Sequence, residues 1–202
     1  AHVLEHKLFE SEDGDAFTKY AQTGAYANAF TSFDKTCYIF SCADKFYENL
    51  KILLSFVQSP YFTEETVKKE QGIIGQEIKM YEDEPGWESL FVLLRAMYHK
   101  HPVRIDIAGT VESISEITAD LLYECYETFY NPANMALAVA GNVTVEQVLE
   151  VADRLLKPKE SRKVERKFQL EPETVVEDTI VRNLSVSMPI FAIEKKKKIE
   201  TP

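Results

Sequence analysis

The chain has 202 residues, 45% apolar and 11% aromatic, enough for one substantial globular domain and part of another, and too apolar to be a disordered chain. Its formal charge of -10 excludes electrostatic attraction to nucleic acid or to an anionic membrane. Cys37, Cys42 and Cys125 lack the spacing of a disulfide framework or a cysteine-rich metal site, and no apolar run is long enough to span a bilayer.

Residues 1–11 carry helical spacing, with Val3, Leu4, Leu8 and Phe9 apolar and His2, Glu5 and His6 on neighbouring faces. The polar stretch 11–15 interrupts it, and a second helix runs to about Gly24, a suitable C-terminal stop. The period then changes: 25–31 and 36–42 are short β-compatible runs around a turn at Phe33, Asp34 and Lys35. Helical spacing returns at Phe46, Leu50, Leu53 and Val57 and is closed by Ser59-Pro60.

A long amphipathic helix is expected from Thr63 to Asp83, with Glu64 and Glu65 at the end of the dipole that favours them. Pro85-Gly86 ends it, another helix covers Trp87 to His99, and His101-Pro102 begins a loop. Thr118 caps a helix through Tyr130, which Asn131-Pro132 stops. The apolar run 135–143 reads as a buried strand, and Thr144 with Gln147 as a capping box opening a helix to Leu156.

Residues 157–166 turn basic and proline-bearing, which marks a linker, and 175–183 and 184–193 read as strands. The expected organisation is an α+β domain over 1–158, a linker over 159–172, and the opening of a second domain over 173–202. The thiols suit a reducing, cytoplasmic setting. The sequence opens on Ala1 directly before a candidate metal ligand, so it reads as part of a longer protein, and any upstream signal lies outside it.

The chemistry sits at the start. His2 and His6 are four apart, so on a helix both imidazoles project from one face and can reach one Zn²⁺. Glu5 leans over the same face without being needed as a ligand, which suits a general base for a metal-activated water. This is the inverted order of the His-Glu-x-x-His arrangement. The bland alternative is a pair of surface histidines beside a chance glutamate. A third ligand must come from a second element, and the long helix offers Glu70 and Glu77, seven apart and on one face. Gly72 and Gly75 between them cost helix propensity, which makes sense if a backbone or substrate approaches closely. The alternative for any one glutamate is a solvated acidic face.

Taken together, His2-Val-Leu-Glu-His6 with Leu8-Phe9, the run Gly24 to Thr31, and Glu70 and Glu77 resemble the M16 family, which includes pitrilysin, insulin-degrading enzyme and the mitochondrial processing peptidase. His101-Pro102, Ile107 to Gly109, Tyr130 to Pro132, Asn134-Met135 and Ala140 to Val143 follow in the family's order, so the likeness covers nearly the whole chain. The run from His6 to Asp15 looks most like the family's bacterial YmfH-type branch.

The resemblance implies an M16-type (LuxS/MPP-like) fold, an antiparallel-rich sheet against helices, followed by the first strands of a second similar domain. It implies that His2, His6 and Glu77 bind Zn²⁺, that Glu5 is the general base, and that Glu70 orients the site. Phe9 would line the cleft, and Asn28 and Ala29 would lie on the edge strand that pairs an extended peptide substrate. It also implies a partner: a second M16-like domain or subunit, in a homo- or heterodimer, supplying an Arg/Tyr pair that no residue here matches. The implied function is a zinc-dependent endopeptidase. The rivals are a non-catalytic M16-like subunit and a metal-independent binding domain.

Other features have plainer readings. His99 and His101 read as loop residues, and Trp87 as packing at a helix start. Lys195 to Lys198 reads as a solvated strand end, and Tyr123, Tyr126, Phe129 and Tyr130 as core.

Overall fold

A computed structural model describes residues 1–157, 159–160, 164–165, 167 and 170–196. The first helix, α1 (His2–Leu8), is shorter than its apolar spacing predicts. It stops because the chain turns at once into a two-residue hairpin, β1 (Glu10–Ser11) with β2 (Gly14–Asp15), in the register Glu10↔Asp15. Lys7, fully buried, pairs with Glu10 and pins the end of α1 to that hairpin.

Asp15 then caps α2 (Ala16–Thr23), its carboxylate accepting from the Phe17 N–H at 2.6 Å. Gly24 closes that helix in the left-handed conformation, φ +73°, where a side chain would be strained. The hairpin of β3 (Tyr26–Thr31) and β4 (Thr36–Ser41) forms where the period of two appears, from Tyr26↔Ser41 to Thr31↔Thr36.

The chain divides into two compact units, one of Ala1–Glu70 with Glu116–Glu165, the other of Gln71–Ser115 with Arg166–Pro202. In the first, α3 (Phe46–Phe56) packs Leu50 and Leu54 against Val151 and Ala152 of α8 (Val145–Leu155), flanked by Phe40 and Phe46. Each fully buried leucine of this kind contributes about 1.5–3 kcal/mol. Thr144 and Gln147 form the expected capping box, with both reciprocal hydrogen bonds made. The long helix α4 (Glu64–Glu82) and α7 (Ala119–Phe129), capped by Thr118, also stand where the sequence places them.

In the second unit α5 (Pro85–Met97) opens with proline in its first turn and Glu84 as its cap, and α6 (Val111–Ser115) is a short helix that the sequence reading did not foresee. The fold is α+β, short antiparallel strands packed against helices.

Three expectations are corrected. The run 135–143 is extended but pairs with no strand among the described residues, and Met135, Leu137 and Val139 are exposed rather than buried. Residues 175–193 form no strand either: apart from the Val176 and Glu177 N–H groups bonding to the Ala96 carbonyl, no ladder is made among the described residues. An apolar run gives only propensity, and a strand exists only when another backbone completes its hydrogen bonds.

Lys196 is no solvated strand end. Its ammonium is largely buried, donating to Glu171, the Met97 carbonyl and the Thr174 carbonyl, while Lys197 and Lys198 lie outside the described residues. No helix among the described residues is long and apolar enough to cross a membrane.

Candidate metal centre

The i, i+4 spacing on α1 stacks the two imidazoles of His2 and His6, ring centroids 4.7 Å apart and nearly perpendicular. On α4, Glu70 meets His6: Nδ1 lies 2.9 Å from Glu70 Oε1. An ionised carboxylate only accepts, so Nδ1 carries the proton and Nε2 is the nitrogen that could ligate a metal. The hydrogen bond from His6 holds the Glu70 carboxyl below its usual pKa despite burial, helped by the nearby charges of Lys7 and Lys69.

Two turns along α4, Glu77 offers a carboxylate oxygen to the same place. One donor atom from each of His2, His6 and Glu77 lies within 4.8 Å of the others. Two imidazole nitrogens and one carboxylate oxygen, all half-buried, are the donor set of a catalytic zinc site with a position left open. The chemistry and spacing therefore fit Zn²⁺.

Glu5 sits beneath this face, 6% exposed, with Thr31 Oγ1 at 2.7 Å from its Oε2. That contact continues to a second threonine hydroxyl. Thr31 Oγ1 lies 3.2 Å from Thr36 Oγ1, and in a separate contact the Tyr130 hydroxyl lies 2.7 Å from that of Tyr38. The acceptor-only carboxylate fixes the direction. Thr31 must donate to Glu5, so it accepts from Thr36. Burial pushes the Tyr38 phenol well above its ordinary pKa and that of Tyr130 up to about 12, so both stay protonated around neutral pH.

Phe9 follows His6 just past the end of α1. It is 5% exposed, with Phe17 and Phe56 stacked on it at 4.2 and 4.9 Å. Asn28 and Ala29 do lie on β3, the Asn28 side chain accepting from the Ala29 N–H at 2.9 Å. Thr31 and Tyr81, whose phenol donates to Glu77 at 2.7 Å, were missed by sequence reasoning. Tyr81 had a signal, four residues beyond Glu77 on one helix. Thr31 had none, because hairpin register alone brings it to Glu5.

Two histidines and one carboxylate that could hold a metal, carried on helices beside an antiparallel hairpin, define the class of protein: an α+β fold with a candidate metal site. Residues 1–111 match the model of the insulinase family, peptidase family M16, and 116–193 match that of the M16 inactive domain. The chain belongs to the M16 peptidase family.

It is similar to the zinc protease YmfH of Bacillus subtilis (strain 168), with 61% identity over 149 residues that take in 74% of this chain and 35% of that protein. It is also similar to YmxG of the same organism, likewise named a zinc protease, at 31% identity over 156 residues, 75% of this chain and 38% of that one. The crystal structure of an M16-like peptidase from Alicyclobacillus acidocaldarius superposes with a TM-score of 0.83 at 46% identity, covering 87% of this chain and 42% of that chain. A protease from Helicobacter pylori shares the fold, with a TM-score of 0.77 at 24% identity over 86% of this chain and 44% of that one. This chain thus spans somewhat over a third of the length of the relatives it matches.

Proposed function

We propose that this chain carries the zinc centre of an endopeptidase that cleaves extended peptides or unfolded segments. The observation that supports the reading is that one donor atom each of His2, His6 and Glu77 lies within 4.8 Å of the others, with Glu5 a buried carboxylate on the same helix as the histidines. His2, His6 and Glu77 would hold Zn²⁺, and Glu70 would fix the tautomer and orientation of His6. A zinc ion bound there supplies Lewis acidity, acidifying water and polarising a peptide carbonyl. Glu5 takes a proton from the attacking water and returns it to the leaving amine. Its orientation is held by the Thr31 hydroxyl.

The outer edge of β3 suits an extended peptide, because backbone pairing there gives affinity largely independent of side chains. Asn28 and Ala29 are the positions we assign to that contact. A second M16-like domain, beginning near residue 173 or supplied by a partner subunit, would close over the bound peptide. The greater length of the relatives supports that reading. The 202-residue chain alone is accordingly expected to turn over a fluorogenic peptide weakly or not at all, and robust turnover would refute the need for a partner.

The match of 116–193 to a domain called inactive favours a second reading, a non-catalytic subunit. Against it, His2, Glu5, His6, Glu70 and Glu77 all fall within the 1–111 match. Zinc analysis together with Glu5→Gln in the longer protein separates the two. The peptidase reading expects about one zinc per chain and a loss of activity of about 10²–10⁴-fold with zinc retained. Unchanged cleavage by the Glu5→Gln protein would remove the catalytic assignment.

A further inference from the structure

Resting on the zinc reading above, we propose that Tyr81 is a positioning residue for the metal ligand Glu77. Tyr81 stands one turn beyond Glu77 on α4, and its phenol donates to Glu77 Oε1 at 2.7 Å. A carboxylate has two oxygens, so one can accept this bond while the other ligates. A glutamate side chain has three rotatable torsions, and a ligand that swings freely pays for its ordering each time a metal binds. The hydrogen bond removes part of that freedom before the ion arrives.

The phenol is itself held. Its ring stacks on Trp87 of α5, centroids 4.4 Å apart and planes within 14°. The Trp87 indole N–H donates to Asp106 Oδ2 at 2.9 Å, and the other oxygen of Asp106 accepts from the Ala108 N–H at 2.9 Å. Trp87 also packs on Phe91, which is fully buried. Asp106, Trp87 and Tyr81 therefore form a buttress, anchored in a loop at one end and delivering one hydroxyl to Glu77 at the other. Glu70 does the same for His6, so two of the three proposed ligands are fixed by groups that never touch the ion.

The test measures Zn²⁺ affinity by chelator competition on the 202-residue chain, with Co²⁺ absorption reporting ligand geometry and apo melting reporting the fold. Tyr81→Phe keeps the ring stacked on Trp87 and removes only the hydroxyl. The expected result is about a 10–100-fold loss of Zn²⁺ affinity, a changed Co²⁺ spectrum and a nearly unchanged apo melting temperature. Trp87→Phe keeps the phenol but cuts its anchor to Asp106, and should give a smaller loss of affinity. A Tyr81→Phe chain that binds Zn²⁺ as tightly as its parent, with the same Co²⁺ spectrum, overturns the assignment while the zinc reading stands. A parent chain that binds no Zn²⁺, or a Glu77→Gln chain that binds as well as the parent, overturns the zinc reading and this inference with it.

Discussion

Thr31 Oγ1 donates to Glu5 Oε2 across 2.7 Å, from the last residue of β3 to the middle of α1. The strand proposed to receive substrate thus also holds the proposed base. Thr31→Val, which keeps the shape and loses the hydroxyl, should lower kcat of the full-length enzyme by about tenfold or more, the scale of a hydrogen bond to a charged group. KM and zinc content should hardly move, and Thr31→Ser should restore most of the rate. Steady-state kinetics with zinc analysis decides it; a fall in zinc content instead would mark the contact as structural.

The pair Lys7–Glu10 is lopsided, with Lys7 side-chain exposure at 0% and Glu10 at 37%. Removing each partner should therefore cost differently. Glu10→Ala strands a buried ammonium and should destabilise by about 3 kcal/mol, the low end for breaking a buried pair because Glu10 is partly in water. Lys7→Met removes the buried charge and leaves a carboxylate that water can reach, so its cost should be markedly smaller. Urea denaturation of both variants checks the order, and equal costs would contradict this account.

Glu171 accepts from three successive backbone N–H groups, His99, Lys100 and His101, at 2.6–2.8 Å, and from the Lys196 ammonium at 3.0 Å. Burial pushes its pKa up, but these donors outweigh it and hold the carboxyl at about 2. A pKa depressed on folding adds stability that is present above the unfolded value, about 4.3, and is lost as pH falls toward 2. Glu171→Gln should therefore melt lower than the parent at pH 6, and the gap should narrow by pH 2.5. Parallel melting curves at both pH values would show that the charge contributes nothing.

Gly72 and Gly75 correct a reading of the sequence. A methyl group built on either meets nothing within 4 Å, so neither glycine is required by a close neighbour in this fold. Gly72→Ala and Gly75→Ala should each stabilise α4 by about 0.5–1 kcal/mol. If substrate passes over this face, the same changes will raise the melting temperature while lowering activity, and the two assays together distinguish the cases.

What could be read in advance followed from local chemistry. Caps at Thr118, Thr144 and Gly24 speak through neighbouring residues, and the spacings of His2 with His6 and of Glu70 with Glu77 need only the pitch of one helix. The errors fell where distant parts decide. The runs 135–143 and 175–193 have strand composition, but pairing is a property of two segments. Thr31 meets Glu5, and Tyr38 meets Tyr130, through contacts 26 and 92 residues apart in sequence, and no local period encodes those.

The exposed run around Met135, Leu137 and Val139 has a practical corollary for anyone handling this chain. Its backbone is extended, its alternate side chains are apolar, and residues 135–140 contain no charge, proline or glycine to deter pairing. Two copies that meet along it can zip together as neighbouring strands. A lysine on that run should therefore weaken such pairing and raise the solubility of the 202-residue chain.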